Sequence, residues 1–188
     1  MKSTWIKNAL IVNEGETYKG SVVISGETIA EVIKGDNLPS TPYNETIDAN
    51  ECYLLPGVID DHVHFRDPGL THKADIHTES MAAAAGGVTS YMDMPNTNPQ
   101  TTTLGALENK FKDAATKSIV NYSFYFGATN NNADLLPLLD KQKVCGVKLF
   151  MGASTGNMLV DRMETLKNIF SNAGMLIATH CEDQNIIT

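Results

Sequence analysis

Two rhythms of apolar and polar positions divide the chain. Over residues 4 to about 50, short β-branched runs alternate with turn residues. Trp5 to Val12, Gly20 to Ser25 and Ile29 to Ile33 read as strands, with Gly26-Glu27 and Gly35-Asp36 as turns. Together they predict a small antiparallel sheet. Asn37 to Asp48 is mostly polar, with two prolines, and predicts no element, whereas Glu51 to Leu55 predicts one more strand. From Pro56 onward, strand and helix patterns alternate. Val58 to Phe65, Val88 to Met94, Ile119 to Gly127, Val144 to Met151 and Met175 to His180 are the predicted strands. Asp75 to Ala85, Leu104 to Thr116, Ala133 to Asp140 and Asp161 to Asn172 are the predicted helices, the first stopped by Gly86-Gly87.

Such alternation implies a parallel sheet with right-handed crossovers. Four βα units and a fifth strand fit either an open doubly wound sheet or part of a barrel. A closed (β/α)8 barrel needs eight units and typically about 250 residues. The expectation adopted is a barrel truncated after about five strands, because the chain has a natural start and no natural end.

Composition narrows the function classes. A hydrophobic fraction of 42% with 19% charged residues describes an ordinary globular protein. A net charge of -8 disfavours nucleic-acid and anionic-membrane surfaces, which need a basic patch. No stretch approaches the length of a membrane span, and the apolar run Ala9 to Val12 is too short for a signal peptide. Cys52, Cys145 and Cys181 have no paired spacing, so reduced thiols and a cytoplasmic location are expected.

Most of the informative polar residues fall at or near the C-terminal ends of the predicted parallel strands, where α/β proteins place their chemistry. The stretch Pro56-Gly57-Val58-Ile59-Asp60-Asp61-His62-Val63-His64-Phe65-Arg66-Asp67-Pro68-Gly69 leads. In a strand, residues two apart share a face, so His62, His64 and Arg66 are expected to project together. Two imidazoles make half of a metal site, and an arginine can hold a carboxylate through two parallel hydrogen bonds. A lone His-x-His is usually nothing, so the setting carries the reading. Lys148 lies within the apolar run Val147-Lys148-Leu149. It is either a snorkelling or ion-paired side chain or an amine whose pKa burial lowers, able to take up carbon dioxide as a carbamate. His180 ends an apolar run and, alone, reads as a core histidine. His72 and His77 lack a strand-end setting and are read as structural. The loop Gly152-Ala153-Ser154-Thr155-Gly156 reads equally as a mobile lid or a plain turn.

The long stretch ending in His62-Val63-His64-Phe65-Arg66-Asp67-Pro68-Gly69 resembles the signature of the dihydroorotases, in the amidohydrolase superfamily. Asp93-Met94-Pro95-Asn96-Thr97, Gly146-Val147-Lys148-Leu149-Phe150-Met151 and Thr179-His180-Cys181-Glu182-Asp183 are similar to further motifs of that family. The resemblance spans the whole chain. It implies that residues 1–55 are the N-terminal part of a small β-sandwich and 56–188 the first part of a metal-dependent (β/α)8 barrel of the amidohydrolase type. It implies two zinc ions, with His62 and His64 on the more buried one, carboxylated Lys148 bridging both, and His180 on the second. Arg66 and Asn96 are then the residues that bind the substrate carboxylate. The implied reaction interconverts N-carbamoyl-L-aspartate and L-dihydroorotate in pyrimidine biosynthesis. A homo-oligomer is expected, with no nucleic-acid or membrane partner.

The family also needs a further ligand histidine and a proton-shuttling aspartate, expected beyond Thr188. No catalytic base is therefore assigned within the chain, which alone is expected to turn over little or not at all. Two alternatives stand beside this reading. One is a hydantoinase- or allantoinase-like cyclic amidohydrolase, which Arg66-Asp67-Pro68-Gly69 argues against. The other is a non-catalytic partner of aspartate transcarbamoylase, which the retained His62, His64, Lys148 and His180 argue against.

Overall fold

The computed structural model describes residues 2–152, 156–182 and 186. Asp183 and the loop positions Ala153, Ser154 and Thr155 lie outside the described residues, as does any reading of that loop as a lid or a turn. The chain divides into two compact units, Met1–Pro56 and Gly57–Thr188.

The first unit is one five-stranded sheet. β1 (Ser3–Asn13), β2 (Glu16–Ser25) and β3 (Thr28–Lys34) form an antiparallel meander, as the turn signals predict. β4 (Glu45–Asp48) and β5 (Tyr53–Leu54) then pair with β1 in parallel, so the sheet is mixed rather than antiparallel. β4 falls in the polar stretch where no element was expected. All four of its residues are exposed, and its ladder with β1 rather than burial makes it a strand. Ala9, Ile11 and Val22 form the buried cluster of this unit.

The second unit follows the strand–helix rhythm closely. β6 (Val58–Val63), β7 (Val88–Asp93), β8 (Asn121–Gly127), β9 (Gly146–Phe150) and β10 (Ile177–His180) pair in sequence order, all parallel. The sheet curls, and α1 (Ile76–Ala85), α2 (Leu104–Lys117) and α3 (Met163–Asn172) lie between successive strands in the chain. The helix expected over Ala133 to Asp140 is a 3-10 turn over Ala133–Leu138 that contains Pro137, a residue lacking the N–H an α-helix would use. α1 starts in a capping box, with the Asp75 carboxylate accepting from the Thr78 N–H at 2.8 Å. Among the described residues, no helix is long and apolar enough to cross a membrane.

Pleat alternation sorts the central strands. Phe124, Phe126, Val147 and Leu149 join Ile76, Leu107, Leu136, Leu166 and Ile169 from the helical segments in one buried core. Tyr125, Gly127, Lys148 and Phe150 alternate with them and take the opposite face. Phe126 is fully buried within this core. Phe126→Ala is expected to cost about 3–5 kcal/mol in urea denaturation. A loss under about 1 kcal/mol would contradict the packing described.

Candidate metal centre and anion-binding loops

β6 ends at Val63, two residues earlier than the apolar pattern suggests, and places His62 exposed at its tip. His64 follows half-buried, and the two imidazole centroids are 5.4 Å apart. Arg66 does not continue the pleat. Its φ is 66°, in the left-handed region, so a turn and not strand alternation aims its side chain. The expected projection of all three from one strand face is corrected in that respect. Arg66 still lies near enough to His64 for its charge to lower the imidazole pKa.

The loop after β7 meets the loop after β6. Met94 N–H donates to Val63 O at 3.0 Å, and Asn98 N–H donates to Pro68 O at 3.1 Å. Gly69 has φ 82°, and a Cβ there would fall 1.8 Å from Asn98 O, so only glycine allows this approach. Asn96 is thereby brought to His64, with Oδ1 at 2.8 Å from Nδ1. An amide oxygen cannot donate, so Nδ1 carries the proton and Nε2 keeps its lone pair. Such a contact would fix the tautomer of a metal-binding imidazole, and among the described residues the Asn96 NH2 group has no hydrogen-bond acceptor.

Lys148 is 3% exposed in the middle of β9. Gly127 and Ala178 flank it in the ladder, two of the smallest residues available. Its Nζ lies 5.1 Å from the Phe150 ring centroid. Among the described residues no carboxylate pairs with it, so neither the snorkelling nor the ion-pair reading is borne out there. Burial pushes its pKa down, with a small opposing pull from Cys181. His180, at the end of β10, has its ring 6.0 Å from that of Phe150, and its Nε2 is 3.5 Å from the Glu182 carboxylate. The structure therefore gathers two groups, His62 with His64 and Asn96, and Lys148 with His180 around Phe150. Among the described residues, no three His, Cys, Asp or Glu side chains stand close enough to hold one ion. The donor types fit zinc: paired imidazoles, one with its tautomer set, and an amine biased towards neutrality.

Two residues that the sequence reading gave no role prove structural. Asp67 is buried and accepts from Lys117 Nζ at 2.8 Å and from the Ile76 N–H of α1 at 3.4 Å. Asp93 is fully buried beside Lys110 of α2. The stripe Leu107, Lys110, Ala114 was the available signal, since it puts a lysine on the buried face of α2. His77 sits on α1 with Nδ1 3.1 Å from Lys117 O, and His72 is exposed.

The family described as Dihydro-orotase-like matches residues 52–187. The chain belongs to that family. Among its relatives are an allantoinase of Deinococcus radiodurans, 35% identical over 92% of this chain and 39% of that protein, and a dihydroorotase of Methanosarcina acetivorans, 34% identical over 99% and 40%. The L-hydantoinase (dihydropyrimidinase) of Arthrobacter aurescens superposes with a TM-score of 0.89 at 29% identity, covering 100% of this chain and 42% of that one. The chain thus spans about 40% of the length of these relatives. Its second unit carries five parallel strands of the amidohydrolase (β/α)8 barrel, as the strand–helix alternation predicts.

His64 gives a pH signature. Burial pushes its pKa down, the Asn96 hydrogen bond opposes this, and the Arg66 charge adds to the lowering. A lowered folded-state pKa means that the unfolded chain takes up the proton first. The contribution is full above the ordinary histidine pKa of about 6.5 and is lost as pH falls through the depressed value. Metal-free protein is expected to lose stability between pH 7.5 and 5 in denaturant titrations, and His64→Leu to reduce that loss. An unchanged slope in His64→Leu would contradict the environment assigned to the ring.

Proposed function

We propose that this chain is the first part of a dihydroorotase that interconverts N-carbamoyl-L-aspartate and L-dihydroorotate, a step of pyrimidine biosynthesis. The observation that carries the reading is the grouping of Arg66 and Asn96 about His64. The His64–Asn96 hydrogen bond and the influence of the Arg66 charge on His64 support a site that combines a metal ligand with donors for a carboxylate. In this reading residues 1–55 belong to the small β-sandwich and 56–188 to the barrel, and the protein works in the cytoplasm as a homo-oligomer.

His62 and His64 would hold one zinc ion through their ring nitrogens, and His180 a second. Lys148 would bridge the two after reacting as the neutral amine: Nζ bonds to the carbon of carbon dioxide, one proton leaves, and an anionic carbamate with two oxygens results. Its lowered pKa favours that neutral form. When bound, the zinc pair supplies Lewis acidity towards the cyclic amide and towards water. Arg66 holds the substrate carboxylate by paired hydrogen bonds, and the Asn96 NH2 orients it. No proton shuttle is assigned within this chain.

A second reading is favoured by the allantoinase and hydantoinase likenesses, namely a cyclic amidohydrolase for uncharged rings. Steady-state kinetics of the full-length protein separate the two. Dihydroorotate is expected to be preferred, and Arg66→Met to raise its KM by about tenfold or more, as loss of a charged hydrogen-bonding partner does. A preference for allantoin or hydantoin would overturn the reading. Metal analysis is expected to give two ions per chain, reduced in His62→Ala/His64→Ala. A metal-free, inactive wild-type protein would favour a partner role beside aspartate transcarbamoylase.

A further inference from the structure

Lys110 has a fully buried side chain and belongs to α2, away from every motif that carries the family resemblance. Its ammonium makes three contacts. Nζ forms an ion pair with Asp93 Oδ2 at 2.6 Å. Nζ donates to Met94 O at 3.0 Å and sits 4.8 Å from the Phe124 ring centroid. The other oxygen of Asp93 accepts the Phe65 N–H at 2.9 Å.

These contacts reach both loops of the candidate site. Phe65 is the residue after His64. Met94 lies two residues before Asn96, and its N–H returns to Val63 O. One cation therefore ties the backbone beside His64, through Asp93, to the backbone that leads to Asn96. The 2.8 Å contact between the His64 ring and the Asn96 amide closes the same circuit.

We propose that Lys110 is a positioning residue that, with Asp93, sets the separation of His64 and Asn96 and so couples the metal-ligand imidazole to the carboxylate-binding amide. The inference rests on the proposed function and adds to it. Both side chains are fully buried. Both act through Phe65 and Met94. Lys117, seven residues further on the same helix, holds Asp67 of the first loop in a parallel but half-exposed arrangement. α2 thus braces the loop after β6 at two points, and only the inner one also reaches the loop after β7.

The test uses the full-length protein, with Asp93→Asn/Lys110→Met and Lys110→Arg beside wild type. The neutral pair leaves no unpaired buried charge and keeps an amide oxygen for the Phe65 N–H. Cobalt(II) affinity, the cobalt visible spectrum, the thermal midpoint, and kcat and KM for dihydroorotate are measured. The neutral pair is expected to fold, to bind cobalt about tenfold or more weakly with shifted visible bands, and to raise KM as kcat falls. Lys110→Arg, which restores the charge, is expected to lie between it and wild type. A folded neutral pair with wild-type cobalt affinity, spectrum and KM would overturn the proposal, as would Lys110→Arg losing as much as the neutral pair. Should the neutral pair not fold, Asp93→Asn/Lys110→Gln, which keeps a donor in the cavity, is read in the same way. A wild-type protein that binds cobalt but does not act on dihydroorotate would sink the functional reading alone, because the cobalt measurements still judge Lys110.

Discussion

A carboxylate and an ammonium with no exposed side-chain surface sit beneath the loops of the candidate site. Removing ions from water costs on the order of several kcal/mol each, even in real proteins. The pair is tolerated only because its remaining bonding capacity is used, by the Phe65 N–H on one side and Met94 O on the other. That requirement makes the pair a constraint on geometry. If either loop moved, a buried charge would lose a hydrogen-bond partner, at a cost of about 1.5–3 kcal/mol. Apolar residues of similar volume would hold the core as well, but they would not fix the distance between two backbones. For Lys110 desolvation outweighs the pull of Asp93, so its pKa is held down.

The two buried lysines show what a sequence reveals and what it hides. Lys148 was conspicuous because a strand bounded by Val147 and Leu149 is buried on both faces. Lys110 was inconspicuous because helical lysines are ordinarily solvated, and its neighbours Asn109 and Lys112 are exposed. The parallel strands were legible from β-branched and aromatic residues in short runs that alternate with helical patterns. β4 was not, since its four exposed residues carry no hydrophobic signal and owe their conformation to pairing with β1. Backbone handedness was hidden as well. Nothing in Phe65-Arg66-Asp67 announces that Arg66 leaves the pleat with φ 66°. Asp67 looked like part of a binding motif, and it anchors the loop to α1 and α2 instead.

Fold does not decide among the substrates of such a family, because the same half-barrel underlies proteins named for different cyclic amides. The choice has to be made by the local bonding capacity of the site. The proposed dihydroorotase substrate is anionic, and a chain of net charge -8 gives it no general attraction, so in that reading a specific cation would do the selecting. Asn96 spends its oxygen on His64 Nδ1 and is left with donors alone. Arg66 has only donors by nature. A ring with carbonyl oxygens and no charge could accept from Asn96, but it would leave the guanidinium without a counter-charge. In the proposed reading one carboxylate would accept from both groups. The hydrogen bond that sets the tautomer of His64 therefore also fixes the polarity that Asn96 presents, so in the proposed reading metal binding and substrate selection would draw on the same two side chains.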